Sequence, residues 1–330
     1  MKVFLTHTDA AFPRYYGERP LAALRQHAEV VRNTTGRVLE GAALAEAAAG
    51  CQVIVADRAT PGQAATFAAA PDLVAFLRCA VDISTIDVPA ASQQGVLVTH
   101  ATPGFTEAVA ELGLGMMLDL ARGISEAVVA GRAGQAPQPR QGRQLTGATL
   151  GLIGYGRIAQ RLGKLGQACG MRVLAYDPHV PGFDEGVTGM PLEGVLAEAD
   201  FVVCLAVASP ETANMMNARS FGLMRKGAFF VNLARGGLVD EAALEAALDS
   251  GHLAGAALDV GSAPDQMPPL RLARRPDVIA TPHIGGLTRE ATEHQAMDTV
   301  RQVAALAEGR LPEGAANAEA ASRLERLRRA

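Results

Sequence analysis

The chain has 330 residues, enough for about two domains of ordinary size. Hydrophobic residues make up 49% and charged residues 19%, so a large core can form, and with no Trp and only 4% aromatics it must be built mainly from Ala, Leu and Val. The net charge is −4 and no basic stripe is visible, which argues against nucleic acid and anionic membrane as partners; no apolar run is long enough to span a bilayer.

The N-terminal segment MKVFLTHTDA has no signal-type apolar region. Strands are predicted at 2–7, 51–56, 73–79 and 95–99, with Ala-rich helical stretches near 20–29, 41–50 and 61–70 between them. FPRYYGERP reads as a solvated loop, with Arg14, Tyr15 and Tyr16 reaching a ligand cleft as the alternative. A long helical pattern follows at about 105–130, and then a Gly-, Pro- and Gln-rich surface loop at 131–146. Strands are predicted again at 149–153, 171–176, 200–207, 228–233, 254–258 and 277–280, separated by helical stretches near 157–169, 191–199, 218–224 and 240–250. A second long helical pattern covers 288–308, and an Ala- and charge-rich tail begins near 311. Cys51, Cys79, Cys169 and Cys204 all lie in apolar runs and form no CxxC pair, so free thiols in a reducing cytoplasm are expected, and no metal site.

This alternation predicts an α/β fold with parallel sheets covered by helices on both faces. The two long helical patterns flank the middle of the chain. The simplest architecture has an outer domain from 1–102 and 287–330, a cofactor domain from 103–286, and a ligand cleft between them.

The most informative stretch is GYGRIA, 154–159, set between an apolar strand and a helical pattern, with Asp177 ending the next strand. Gly154 permits a tight turn, Gly156 lets a pyrophosphate approach the backbone, and small Ala159 lets the helix pack on the sheet. The helix N-terminus supplies free N–H groups and a partial positive charge. A carboxylate at Asp177 can accept from both ribose hydroxyls and would repel a 2′-phosphate, which favours NAD.

Three further motifs end strands of the same domain. In VNLARGGLVDEAAL, 231–244, Arg235 is suited to hold a carboxylate in two parallel bonds and to polarise the neighbouring carbonyl. In AGAALDV, 254–260, Asp259 can accept from the carboxamide of a nicotinamide; a helix-capping role is the alternative. In ATPHIGG, 280–286, His283 is the side chain best able to exchange a proton at neutral pH, which hydride transfer at an alcohol carbon requires. Ala234 and Gly285 join the expected cofactor contacts.

The order GYGRIA, Asp177, NLARGG, GAALDV, TPHIGG resembles the D-isomer-specific 2-hydroxyacid dehydrogenase family. PGFTEAVAELGLGMMLDLAR, 103–122, is similar to that family's interdomain helix, and ASPETANMMNARSFGLMRKGAFFVN, 208–232, to its cofactor loop and following strand. The resemblance implies two α/β domains of Rossmann and flavodoxin-like type, NAD(P) as cofactor, narrowed to NAD by Asp177, a 2-oxo or 2-hydroxy acid as substrate, and a homodimer built largely on the cofactor domains. It also implies that Arg235 orients the 2-oxo acid, that His283 is the general acid/base, and that Arg157 and Ile158 offer backbone N–H groups to the pyrophosphate.

Two departures from the family pattern stand out. Five residues after Asp259, where the family carries a glutamate bonded to the catalytic histidine, this chain has Pro264. Asp265 is the nearest acid and is expected to replace it through a shifted loop; a neutral partner in Gln266, or no partner, are the rivals. Where the family's substrate loop has small residues whose N–H groups receive a carboxylate, this chain has Ala80–Val81–Asp82. An aspartate there would repel a carboxylate, so Asp82 either points away or meets a polar group on the substrate. The other class of function that fits is an NAD(H)-binding sensor or interaction protein without turnover.

Overall fold

The computed structural model describes residues 1–136 and 138–328. Pro137, in the expected 131–146 loop, and residues 329–330, in the expected outer-domain tail, lie outside the described residues. The chain divides into two compact units, Met1–Gly104 with Arg289–Ala330, and Phe105–Thr288.

The first unit holds five parallel strands: β1 (Lys2–Leu5), β2 (Glu29–Arg32), β3 (Val53–Ala56), β4 (Ala75–Arg78) and β5 (Leu97–Thr99). Their order is β2-β1-β3-β4-β5, the flavodoxin-like arrangement. Side chains alternate across the sheet. Val3, Leu5, Val53, Val55 and Leu77 enter one core and Phe4, Ile54 and Phe76 the other, so both faces are buried and the strands read as continuous apolar runs. The helix Arg289–Ala307 lays Ala296, Val300, Val303 and Leu306 into the first of these cores.

The second unit holds seven parallel strands: β6 (Thr149–Ile153), β7 (Arg172–Tyr176), β8 (Val187–Gly189), β9 (Phe201–Cys204), β10 (Ala228–Asn232), β11 (Leu253–Leu258) and β12 (Val278–Ala280). Their order is β12-β11-β10-β9-β6-β7-β8. The chain winds outward from β6 to β8, then returns beside β6 at β9 and winds the other way. Ligands of such doubly wound sheets bind beyond the carboxyl ends of the strands at this reversal. Leu150, Leu152, Val203 and Val231 fill one face and Ile153, Val202, Cys204 and Phe230 the other.

Several elements differ from the sequence expectation. No strand is predicted from the sequence at β2 or β8; both are edge strands with no fully buried residue, so they lack the apolar run that betrays a central strand. The long 105–130 helix is two, Thr106–Arg122 and Ile124–Arg132, broken at Gly123, whose φ of +66° makes it a left-handed cap. FPRYYGERP is not a solvated loop. It forms the helix Phe12–Tyr15 and opens the helix Glu18–Leu24, and Phe12 and Tyr16 are 4% exposed. The Tyr16 hydroxyl lies 3.2 Å from Thr299 Oγ1, and burial raises its pKa. The tail lies along β5: Ala316 N donates to Val98 O at 2.9 Å and Val98 N to Asn317 Oδ1 at 2.8 Å, which covers an edge that would otherwise expose its main chain.

The carboxyl ends of the first unit's strands are tied by buried polar groups. Arg78 has no exposed surface; it donates to Asp57 O and Arg58 O, and to Thr85 Oγ1 at 2.8 Å. Asn33 Nδ2 donates to Thr6 O at 2.9 Å, and Asp57 N to Thr6 Oγ1 at 2.9 Å. His7, 1% exposed and beside Tyr16, is pushed from 6.5 down to about 4, chiefly because burial penalises the imidazolium. With the folded value below the unfolded one, the unfolded chain takes up the proton first. His7 therefore favours unfolding increasingly as pH falls from 6.5 towards 4, by up to roughly 3 kcal/mol, and its effect fades above pH 7. His7→Phe, which keeps a ring beside Tyr16 and has no proton site, should flatten the pH dependence of the urea midpoint in that window. A slope equal to the wild type's would place the acid sensitivity elsewhere.

Candidate functional site

The glycine turn follows β6. Gly154 has φ +85°, and a Cβ there would lie 2.6 Å from Ala206 N and Cα, so only glycine lets this turn pass the β9 end. Gly156 is different. Its backbone is ordinary, it caps the helix Arg157–Ala168, and the space a Cβ would fill is open. That is the cradle a pyrophosphate requires, with the helix's first N–H groups behind it. Arg157 is exposed, Ile158 half-buried and Ala159 fully buried against the sheet. Asp177, just past β7, takes Tyr155 N on Oδ2 at 2.8 Å and His179 N on Oδ1 at 2.9 Å. One N–H on each oxygen leaves acceptor positions for two hydroxyls. The residues therefore fit an NAD ribose and pyrophosphate.

β10 ends at Asn232, which is 1% exposed and folds the next turn with its own amide. Its Oδ1 accepts from Ala234 N at 3.1 Å and its Nδ2 donates to Arg235 O at 3.1 Å. Ala234 is buried; Arg235 is exposed, extended, and donates from one terminal nitrogen to Ala234 O at 2.7 Å. Sequence reasoning missed Asn232, though a strand-end Asn before a turn is a recognisable signal.

Asp259 follows β11 and is 2% exposed. Its Oδ1 accepts from Thr281 Oγ1 at 2.6 Å and Ile284 N at 2.8 Å, and its Oδ2 from Gly285 N at 2.8 Å. Gly285 is required, because a Cβ there would fall 2.8 Å from Asp259 Oδ2. Asp259 O also accepts from His283 N at 3.0 Å. Asp259 thus builds the turn that carries His283, a role that the sequence did not reveal. His283 is held at φ +53°, a backbone region that L-residues avoid.

Asp265 meets the imidazole through its main chain. His283 Nδ1 lies 2.8 Å from the main-chain carbonyl oxygen of Asp265. The reason is backbone conformation: Asp265 and Gln266 both sit in the left-handed region, with φ +59° and +60°, which turns the Asp265 carbonyl to the ring. In the first unit, Val81 and Asp82 follow β4. Val81 is half-buried; Asp82 is exposed, and its Oδ1 accepts from Ser84 N at 2.8 Å, closing a local turn.

A doubly wound parallel sheet with this glycine turn and strand-end acid defines a dinucleotide-binding unit of Rossmann type. Residues 114–285 match the NAD-binding domain of the D-isomer specific 2-hydroxyacid dehydrogenases, and the chain belongs to that family. It is 37% identical over 230 residues to a D-3-phosphoglycerate dehydrogenase of Synechocystis sp., covering 68% of this chain and 41% of that one. The chain spans about half or less of the length of such relatives. Among solved structures it is similar to the TT0316 protein from Thermus thermophilus, with TM-score 0.82, 34% identity, and 96% and 100% of the two chains covered. It is similar also to D-lactate dehydrogenase with NAD+ from Lactobacillus jensenii, with TM-score 0.82, 25% identity, and 96% and 99% covered.

The Arg235 turn tolerates no added atom at Gly236, where a Cβ would lie 2.2 Å from Gly261 O. Gly236→Ala should cost roughly 1–3 kcal/mol of stability by urea titration and lower turnover, while NADH binding at the Gly156 turn persists. Wild-type stability and turnover would show that the two backbones can separate without consequence.

Proposed function

We propose that the protein is an NAD-dependent oxidoreductase that interconverts a 2-oxo acid and a D-2-hydroxy acid. The observation that carries this reading is that the turns bearing Arg235 and His283 both pack on the same 261–267 loop, Gly236 against Gly261 and His283 against Asp265. A cation suited to a carboxylate and a residue suited to proton exchange are thereby held at the strand ends of the NAD-binding sheet. NAD, held by the Gly154–Ile158 turn, Asp177, Ala234 and Gly285, supplies the hydride chemistry at C2 when bound. Asp259 has an acceptor position beyond its three donors for the nicotinamide carboxamide.

Arg235 holds the substrate carboxylate and polarises the neighbouring carbonyl. A carbonyl oxygen can only accept, so His283 Nδ1 carries hydrogen and Nε2 is the atom that works. In reduction Nε2 gives its proton to the substrate oxygen; in oxidation it takes the hydroxyl proton back. Val81 and Asp82 are the proposed specificity residues, and Asp82 favours a substrate with a polar group over a simple 2-oxo acid. The family resemblance also points to a homodimer. The helix Ile124–Arg132 supports it, having no buried residue and exposing Ile124, Val128 and Val129 by 53%, 44% and 65%.

The reading is tested by mixing the protein with NADH and a panel of 2-oxo acids (glyoxylate, pyruvate, hydroxypyruvate, and branched, aromatic and sugar-derived acids). Turnover on at least one is expected, with His283→Asn lower by roughly 10²–10⁴-fold and Asp82→Gly faster on the simple acids. NADH binding without loss of NADH on any member would instead indicate a binding protein without turnover. Val129→Asp should convert a dimer to monomer in sedimentation; a dimer unaffected by it would use another face.

A further inference from the structure

The reading of His283 as acid/base leaves open what holds its ring, since the family's glutamate position is Pro264. We propose that His283 is oriented by the main-chain carbonyl of Asp265, and that Glu241 is the positioning residue that holds this carbonyl in place. The inference rests on the proposed function, and it names a main-chain device at position 265.

The contacts form a continuous path. Glu241 opens the helix Glu241–Asp249, and its side chain is only 10% exposed. Its Oε1 accepts from Ser262 N at 2.9 Å, and its Oε2 from Ser262 Oγ at 2.8 Å and from the Arg271 guanidinium at 2.7 Å. Arg271 is steadied in turn by Glu245 at 3.3 Å. The loop that starts at Ser262 is closed across its base by Gly261 N donating to Gln266 O at 2.7 Å and by Ala263 N donating to Met267 O at 3.0 Å. At its tip stand Asp265 and Gln266, two successive non-glycine residues in the left-handed region. L-residues avoid this region, so the tip needs support from outside itself. The charge-assisted bonds from Glu241 are of a size to supply it. Gly261 has no room for a side chain, because a Cβ there would fall 2.7 Å from Pro268 Cα, so only glycine lets the loop close this tightly.

The path accounts for the chain's departure from its family. A carbonyl at 2.8 Å fixes the ring and its tautomer as a carboxylate would, with hydrogen on Nδ1. Any residue at 265 carries that carbonyl. What must be kept is the backbone conformation at the tip and the anchor at Glu241.

The test uses the full chain. In 15N-histidine NMR at alkaline pH, His283, assigned by its loss in His283→Asn, should show hydrogen on Nδ1 and a lone pair on Nε2. Glu241→Ala should mix in the Nε2–H tautomer and lower kcat about 10–100-fold, with KM for NADH within twofold; Glu241→Gln, which keeps an acceptor oxygen, should recover part of the loss. Should Glu241→Ala not fold, position 265 decides. Asp265→Val, whose branched side chain resists left-handed backbone, should lose at least tenfold in kcat and mix in the Nε2–H tautomer, and Asp265→Gly, at ease in that backbone, should lose less of both. An Nε2–H tautomer in the wild type, or equal losses in Asp265→Gly and Asp265→Val, overturns the proposal. A wild type that shows the Nδ1–H tautomer but turns over no 2-oxo acid overturns the functional reading and leaves the orientation of His283 standing.

Discussion

The buried carboxylate of Asp259 is the contact on which the candidate site depends. Removing a carboxylate from water is costly unless its lone pairs are taken up. Here three donors from the 281–285 turn occupy it, two of them main-chain N–H groups. The arrangement also reaches backward. Asp259 N donates to Asn232 O at 3.1 Å, and the Asn232 side chain folds the Arg235 turn. The turns after β10, β11 and β12 are therefore one hydrogen-bonded assembly. Arg235 and His283 owe their places to two interior polar residues that have almost no contact with solvent.

Close backbone approach is the second constraint, and it explains which glycines matter. At Gly154, Gly236, Gly261 and Gly285 an added Cβ would fall within 3 Å of a non-flexible neighbour or of the Asp259 carboxylate. At Gly156 it would meet nothing. The first four bring chain segments together; the fifth keeps a space open. Both uses follow from the missing side chain, but only the second points outward to a ligand.

Much of this was legible in the sequence because buried parallel strands are apolar on both faces and end in chemistry. All five central strands of the second unit's sheet, and the placing of Arg235, Asp259 and His283 at strand ends, follow from such runs. The edge strands β2 and β8 were hidden because a strand with one neighbour need not be apolar throughout. The helix break at Gly123 was written as a single letter inside a strong helical pattern. The core role of Phe12 and Tyr16 was hidden by polar neighbours, since FPRYYGERP has the composition of a surface segment. Glu241 was invisible for another reason. It sits in a helix's first turn, where an acid is ordinary, and only the fold brings Ser262 and Arg271 to it.

Asp265 shows a limit of motif reasoning that is physical rather than statistical. A motif assigns a task to a side chain, and the absence of glutamate at Pro264 directs attention to the nearest acid. The histidine needs an acceptor at the right distance and angle, and a peptide carbonyl meets that need. When the acceptor is main-chain, the constraint leaves the residue that supplies it. It passes to whatever fixes φ and ψ there: the closing bonds of Gly261 and Ala263, the tight seat of Gly261, and the carboxylate of Glu241. A carbonyl and a carboxylate are not equivalent in charge, however. On the proposed reading, the carbonyl directs the ring without itself compensating a proton gained on Nε2, so charge balance during proton exchange falls to other groups. On that reading the work that one glutamate would do is divided, with orientation assigned to the backbone and compensation to groups other than this carbonyl.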